Sequence, residues 1–186
     1  MQDTATPVRL AAISGGDPAL REAVALRLAA EGFALADDPT AAAALDALII
    51  LAEAKAQSFA GTSTADFSAH MGGQLKAAFV ALQSGVAAIR AKGGGGAVVV
   101  LAPPAGANRS FDGLQQGLRL LAKSAALELG AEGIRVNVIL PGACGGPLGD
   151  GPAPVDVAAS VAFAVSERSH FMTGADVVVD DGRMAA

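Results

Sequence analysis

The chain has 186 residues, 52% of them hydrophobic, which is the size and composition of one globular domain spanning residues 1–186. Its formal net charge is −5 and its 13 lysines and arginines are scattered, which excludes a nucleic-acid surface built from clustered basic residues. The single cysteine, Cys144, excludes an internal disulfide bond and a zinc site made of several cysteines.

The sequence contains no segment that predicts insertion into a membrane. Its most apolar stretch, residues 41–54, includes Asp46 and Glu53 and is too short and too charged to span a bilayer. The N-terminus lacks the basic start and apolar run of a signal peptide. We therefore expect a cytoplasmic protein that binds neither membrane nor nucleic acid.

The first elements predict a βαβ unit. Residues 8–13 form a short apolar strand that ends in the turn Ser14-Gly15-Gly16, and residues 17–31 carry apolar residues at helical spacing. A second strand, residues 33–36, is followed by Asp37 and a second aspartate. This order of strand, glycine turn, helix, strand and acidic pair is that of a dinucleotide-binding unit.

The glycine turn lacks most of the pattern that a dinucleotide needs. By resemblance to a known dinucleotide-binding family, Ala19 and Arg21 stand where that family has glycines that let the backbone approach the pyrophosphate. Asp17 brings a negative charge to the helix start. We therefore expect no cofactor at the vestigial turn, and NAD or NADP only if Arg21 compensates by binding phosphate directly. Asp37 either holds a ribose hydroxyl or belongs to a solvated turn. The vestigial turn comprises Ser14, Gly15, Gly16, Ala19, Arg21 and Asp37.

The rest of the chain alternates strands and helices, as in a parallel sheet. Only nine residues, 37–45, follow the second strand before the next one begins, too few for a helix and an additional strand. The further predicted strands are residues 46–51, 97–102, 134–140 and 177–179, and the predicted helices are residues 66–91, 110–129 and 155–166.

The segment AKSAALELGAEGIRVNVILPG, residues 122–142, is similar to the corresponding segment of the short-chain dehydrogenase/reductase (SDR) family. Residues 97–142 and 155–182 resemble the family most, and the final strand is followed by Asp-Asp-Gly where the family has Asp-Gly-Gly. The resemblance implies an α/β fold, a Rossmann-like doubly wound parallel sheet of about six strands in three layers. The short connection after the second strand implies that the family's usual third strand and its helix are missing.

The four positions that carry catalysis in the family hold other residues here. The resemblance places the family's tyrosine and lysine at Phe111 and Gln115, its serine at Pro103 and its asparagine at Gln74. Phe111 has no ionisable proton, Gln115 has no charge and Pro103 has no hydroxyl. The chain also contains no tyrosine at all. The resemblance therefore implies a degenerate member of the family.

Three other residues could in principle supply chemistry. His70 and His170 are interpreted as structural or solvated, because neither belongs to a pattern with metal-ligand spacing. Cys144 follows the Pro-Gly turn and has no evident base nearby, so we interpret it as a free thiol without a catalytic role.

We interpret the chain as a catalytically inactive subunit that assembles with an active SDR homologue, or with itself, as a structural or regulatory part of an oxidoreductase complex. The resemblance implies that the two long helices pair across one dimer axis, and the last helix and strand across another. Two alternatives remain: an NAD(P)-dependent oxidoreductase of carbonyl or hydroxyl substrates with displaced catalytic residues, and a binding protein that uses the remaining cleft. The predicted interface residues are Phe79, Leu114, Leu118, Leu121, Ala125, Val161, Phe163, Val177 and Val179.

Overall fold

The computed structural model describes residues 8–36, 42–53, 58–104, 112–142 and 152–182, and its elements alternate as the sequence predicts. The strands are β1 (Arg9–Gly15), β2 (Phe33–Leu35), β3 (Ala47–Leu51), β4 (Gly96–Leu101), β5 (Ile134–Pro141) and β6 (Asp176–Val179). The helices are α1 (Pro18–Ala30), α2 (Thr64–Lys92), α3 (Asp112–Leu129) and α4 (Pro154–Val165).

The six strands form one parallel sheet in the order β2-β1-β3-β4-β5-β6. The order reverses at β1, because β2 lies on one side of it and every later strand lies on the other. β3, β4 and most of β5 are buried on both faces, which explains their continuous apolar runs. The prediction of an α/β doubly wound parallel sheet is confirmed.

Two hydrophobic clusters cover the two faces of the sheet and make it the middle of three layers. One cluster joins the sheet to α2 and α3 and includes Leu82, Ile89 and Leu118. The other joins the opposite face to α1 and α4 and includes Leu28 and Val161. The strands supply alternate residues to the two clusters, as their period of two requires.

The helix ends have local causes in the sequence. Asp17 caps α1 and Pro18 occupies its first turn, where a missing N–H costs nothing. The Ser63 hydroxyl accepts a hydrogen bond from the N–H of Asp66 at 3.1 Å and so caps α2. Gly93 ends α2 with a φ of 76°, a value that glycine adopts without strain.

The connection between β2 and β3 is as short as the sequence predicts. In its described residues, 36 and 42–46, no helix or strand is found, and residues 37–41 lie outside the description. Leu45 in this connection is fully buried and the Asp46 carboxylate accepts a hydrogen bond from the N–H of Leu10 at 2.8 Å.

The structure corrects part of the predicted interface. Leu114, Leu118 and Val161 are 0% exposed because they pack against the sheet, so they cannot reach a partner. The helical periodicity located the apolar stripe correctly, but that stripe faces the chain's own core. Of the other six residues, Phe79 is 47% exposed and Ala125 is 9% exposed, while Leu121, Phe163, Val177 and Val179 are half-buried.

Candidate functional site

The crevice at the reversal of strand order is the place where this kind of sheet binds ligands. It lies outside the carboxyl ends of β1 and β3, beneath one face of α2. The cavity there measures only about 110 Å³, well below the roughly 300 Å³ at which small-molecule sites begin. Its lining residues are Ser14, Gly15, Gly16, Ile50, Leu51, Ala52, Glu53, Gln74, Ala77 and Ala78.

The two glycines of the turn are held against the end of β3. Gly15 and Gly16 have φ values of 73° and 94°, in the region that favours glycine. A Cβ atom on Gly15 would lie 2.6 Å from the Leu51 carbonyl oxygen, and one on Gly16 would lie 2.5 Å from the Leu51 Cδ1 atom. The close approach that requires glycine at this turn is therefore made by Leu51.

Asp17 and Arg21 bind the rest of the turn. The Asp17 carboxylate accepts hydrogen bonds from the N–H groups of Ala19 at 3.0 Å and Leu20 at 3.2 Å. Nη1 of Arg21 donates to the carbonyl oxygens of Ile13 at 2.7 Å and Gly15 at 3.2 Å. The amides at the start of α1 and two carbonyls at the end of β1 are thus bonded within the chain.

This arrangement does not fit the pyrophosphate of a dinucleotide. A phosphate at a helix N-terminus binds to the first amides of that helix, and here those amides donate to Asp17. The Asp17 carboxylate would also repel a second anion at the same place. The predicted loss of the cofactor turn therefore has a structural counterpart in the side chains of Asp17 and Arg21.

The two positions that the resemblance assigns to the family's serine and lysine form a hydrogen bond with each other. Nε2 of Gln115, on α3, donates to the carbonyl oxygen of Pro103, just beyond β4, at 3.1 Å. Gln115 is only 3% exposed and Pro103 is also buried. Gln115 and Pro103 thus form one buried structural contact. Sequence patterns could not predict this contact, because it depends on how α3 lies on the sheet.

The remaining predicted site positions are dispersed. Oε1 of Gln74, on α2, accepts a hydrogen bond from the N–H of Glu53 at 3.3 Å and closes the mouth of the small cavity. Phe111, Asp37 and Cys144 lie outside the described residues. The described residues bring Gln115 and Pro103 together, whereas Gln74 lies with the glycine turn beside the small cavity.

An ion cluster that the sequence did not indicate joins α3 to β6. The Asp176 carboxylate accepts hydrogen bonds from Arg119 at 2.6 Å and lies 3.1 Å from the Lys123 ammonium. The hydrogen bond from Arg119, followed by that from Lys123, lowers the pKa of Asp176, and the same bond raises the pKa of Arg119. This cluster anchors the edge strand to the helix layer.

A larger cavity of about 620 Å³ lies at the opposite end of the strands, where their amino-terminal residues are. The Arg9 guanidinium lies 4.1 Å from the centre of the Phe33 ring, and Lys92 forms an ion pair with Asp46. Arg135 donates to a carbonyl of the last turn of α4 at 2.8 Å, and burial lowers its pKa. The basic residues that line this cavity thus contact other groups of the same chain. We interpret the cavity as a gap between the ends of helices.

The described part of the chain contains neither a metal-ion cluster nor a membrane-spanning helix. No group of three or more His, Cys, Asp or Glu side chains in that part of the chain could hold a metal ion. No described helix is long and apolar enough to cross a membrane. His170 lies in a turn, with Nδ1 at 3.1 Å from the carbonyl oxygen of Glu167, and His70 is buried on α2.

Solved structures share this fold along almost the whole chain. An oxidoreductase of the short-chain dehydrogenase/reductase family from Burkholderia thailandensis superposes with a TM-score of 0.83 at 23% identity, covering 97% of this chain and 94% of that one. Acetoin dehydrogenase from Enterobacter cloacae superposes with a TM-score of 0.81 at 21% identity, covering 96% and 97%. At these identities the comparison establishes the fold class, a Rossmann-like α/β sheet.

Sequence comparison then identifies the family. The model of the family described as enoyl-(acyl carrier protein) reductase matches residues 40–153, more than half of the chain. The chain is 31% identical over 157 residues to (3R)-3-hydroxyacyl-CoA dehydrogenase of Rattus norvegicus, covering 67% of this chain and 61% of that protein. It is 42% identical over 81 residues to 3-alpha-(or 20-beta)-hydroxysteroid dehydrogenase of Mycobacterium tuberculosis, covering 37% and 31%.

The chain belongs to the short-chain dehydrogenase/reductase family, as the sequence motifs predict. Its aligned regions span less than two thirds of the length of these two relatives.

Proposed function

We propose that this chain is a catalytically inactive member of the family, a subunit that assembles with an active SDR homologue or with itself in the cytoplasm. In such a complex it would complete the assembly and shape the partner's substrate entrance. This proposal goes further than family membership. It rests on the residues that stand at the positions of the family's catalytic site.

The observation that carries the proposal is the buried hydrogen bond from Gln115 to Pro103. In a working site these two positions would present an ammonium and a hydroxyl to cofactor and substrate. Here the uncharged amide of Gln115 donates to a backbone carbonyl, and only 3% of Gln115 is exposed. An amide has no ionisable proton at neutral pH and proline has no side-chain donor, so neither position can act as a general acid or base.

The outer faces of α2 and α3 support the assembly part of the proposal. Phe79 and Val80 on α2 are 47% and 44% exposed, and Leu120 and Leu127 on α3 are 66% and 88% exposed. Exposed apolar residues on adjacent elements are typical of protein interfaces. Phe79 and Ala125, two of the predicted interface residues, line a groove of about 340 Å³ between these helices.

Co-purification tests the proposal directly. The tagged chain is expressed alone and together with the proteins encoded by the neighbouring genes, and the native mass of each preparation is measured. We expect a dimer or a larger complex, and no oxidation or reduction of nicotinamide cofactor by the chain alone. A stable monomer that captures no homologue would refute the assembly role, and turnover by the isolated chain would refute the inactive one.

A second candidate is an NAD(P)-dependent oxidoreductase with displaced catalytic residues. The relatives described above carry dehydrogenase names, which favours this candidate. It requires cofactor binding and turnover by the purified chain on carbonyl or hydroxyl compounds. The same absorbance assay of reduced nicotinamide therefore separates the two candidates.

A further inference from the structure

We infer that Asp17 and Arg21 are internal occupants of the β1–α1 turn, meaning that their own side chains bond to the backbone groups of this turn in place of a ligand. They form the hydrogen bonds that hold this turn in one conformation without a ligand, and they close it against a dinucleotide. The inference concerns the turn alone. It does not depend on the proposed assembly role, because a chain that binds cofactor could still be a non-catalytic subunit.

Asp17 supplies the anion at the start of α1. Its carboxylate accepts from the N–H groups of Ala19 and Leu20, which satisfies two of the amides that a helix leaves unpaired at its N-terminus. Pro18 has no N–H to offer. The first turn of α1 therefore presents its positive end to a fixed negative charge that belongs to the protein.

Arg21 supplies the cation on the other side of the turn. One nitrogen of its guanidinium bridges the carbonyl oxygens of Ile13 and Gly15, two residues apart at the end of β1. Hydrogen bonds from a charged donor are stronger than those between neutral groups, and two of them from one nitrogen fix the turn. Leu51 packs against Gly15 and Gly16 and closes a third side.

The opposite role for Arg21 would be that of a phosphate ligand. A guanidinium has five N–H donors, so a phosphate would have to use those not directed at the two carbonyls. The two roles predict opposite effects of removing the side chain. An internal occupant contributes to stability and not to binding, whereas a ligand contributes to binding.

The test compares the wild-type chain with Arg21→Ala and with Arg27→Ala. Arg27 is a matched control, because it lies on the same helix and its exposed guanidinium pairs only with Glu31, four residues on, at 2.8 Å. Each protein is titrated with NADH, NADPH and inorganic pyrophosphate by calorimetry, and its thermal unfolding is followed with and without these compounds.

We expect no saturable binding below about 1 mM by any of the three proteins, and no rise of the wild-type unfolding temperature with cofactor. Arg21→Ala should unfold roughly 2–6 °C below wild type, and Arg27→Ala within about 2 °C of it. If Arg21→Ala does not fold, Arg21→Lys takes its place, since it keeps the charge but not the planar fork.

Two results would overturn the inference. One is saturable binding by the wild-type chain, and its loss by at least about tenfold in Arg21→Ala alone would make Arg21 a phosphate ligand. The other is an Arg21→Ala variant that unfolds at the wild-type temperature. Binding without turnover would overturn this inference while leaving the proposed inactive subunit intact, so the two can fail separately.

Discussion

Gln115, at the position that the resemblance assigns to the family's lysine, has a structural role in the fold. Its amide donates to the Pro103 carbonyl, and both residues are buried. An amide satisfies a buried carbonyl without a net charge, whereas an ammonium in the same place would lose its hydration with no anion as a partner.

We predict that Gln115→Lys, which introduces the residue of the family pattern, lowers the free energy of unfolding by about 2–4 kcal/mol. Gln116→Lys is the control on the same helix, because Gln116 is exposed and accepts a hydrogen bond from the side chain of Arg119 at 2.6 Å. It should change stability by less than about 0.5 kcal/mol. Urea unfolding measures both, and equal stabilities of the two variants would contradict the structural role of Gln115.

Asp176 gives a prediction about pH. Its folded-state pKa is lowered by Arg119 and Lys123, so the carboxylate stabilises the fold above its unfolded value of about 4. That stability is lost as the pH falls through the lower folded-state pKa.

Asp176→Asn should therefore lower the free energy of unfolding at pH 7 by about 0.5–1 kcal/mol, and the difference from wild type should shrink towards pH 2. Glu22→Gln removes an exposed carboxylate from α1 and is the control. Urea unfolding across this pH range measures the effect, and a constant difference would show that the pair contributes nothing through its charge.

At the scale of the elements, the packing of α2 depends on which of its glycines faces the sheet. Gly85 lies against β3, where a Cβ atom would be 2.4 Å from Cδ2 and 3.2 Å from Cβ of Leu48, a residue that is fully buried. Gly73 lies on a part of α2 that does not face the sheet. A Cβ atom there would meet no heavy atom within 4 Å.

The same substitution should therefore act in opposite directions on one helix. Gly73→Ala should raise the free energy of unfolding by about 0.5–1 kcal/mol, because alanine restricts the unfolded chain and favours helix. Gly85→Ala should lower it by about 1–3 kcal/mol, because Leu48 has no space to move into. Thermal or urea unfolding of the two variants checks the sign, and stabilisation by both would mean that α2 does not pack closely on β3.

At the scale of the whole molecule, the sheet is well covered while the outer faces of α2 and α3 remain apolar. The groove between them is lined by Phe79, Leu82 and Ala125 among others, and Arg90 at its end donates to Glu132 at 2.6 Å. Covering this surface with a partner would be favourable, because it removes apolar side chains from water. The proposed assembly thus follows from the molecule as a whole and from no single residue.

We predict that Phe79→Arg shifts the native mass to the monomer while the unfolding temperature of the monomer stays within about 2 °C of that of wild-type protein diluted to monomer. Leu26→Arg on α1 is the control, since Leu26 is 66% exposed on the other side of the sheet. Sedimentation at several concentrations measures both variants. An unchanged mass for Phe79→Arg would place the interface elsewhere.

The sequence was sufficient for the order and the approximate bounds of the elements. Buried parallel strands are continuous apolar runs, and glycine, proline and capping residues mark where helices begin and end. It also predicts that the positions assigned to catalysis by the resemblance lack a phenol, an ammonium and a hydroxyl, because the residue at a given position is a property of the chain alone.

Contacts between distant parts of the chain could not be predicted in this way. Gln115 meets Pro103 twelve residues away, and Arg119 meets Asp176 across 57 residues. Leu114, Leu118 and Val161 were predicted at an interface because a helical pattern identifies an apolar face without saying what covers it.

By itself, the sequence determined the doubly wound α/β fold and the family of this chain, and its resemblance to that family predicts other residues at the catalytic positions. Only the tertiary structure decided what those residues do instead. Hydrogen bonds such as those of Arg21 and Gln115 form between groups that the packing of helices on the sheet brings within 3.2 Å, and local sequence patterns carry no information about that distance.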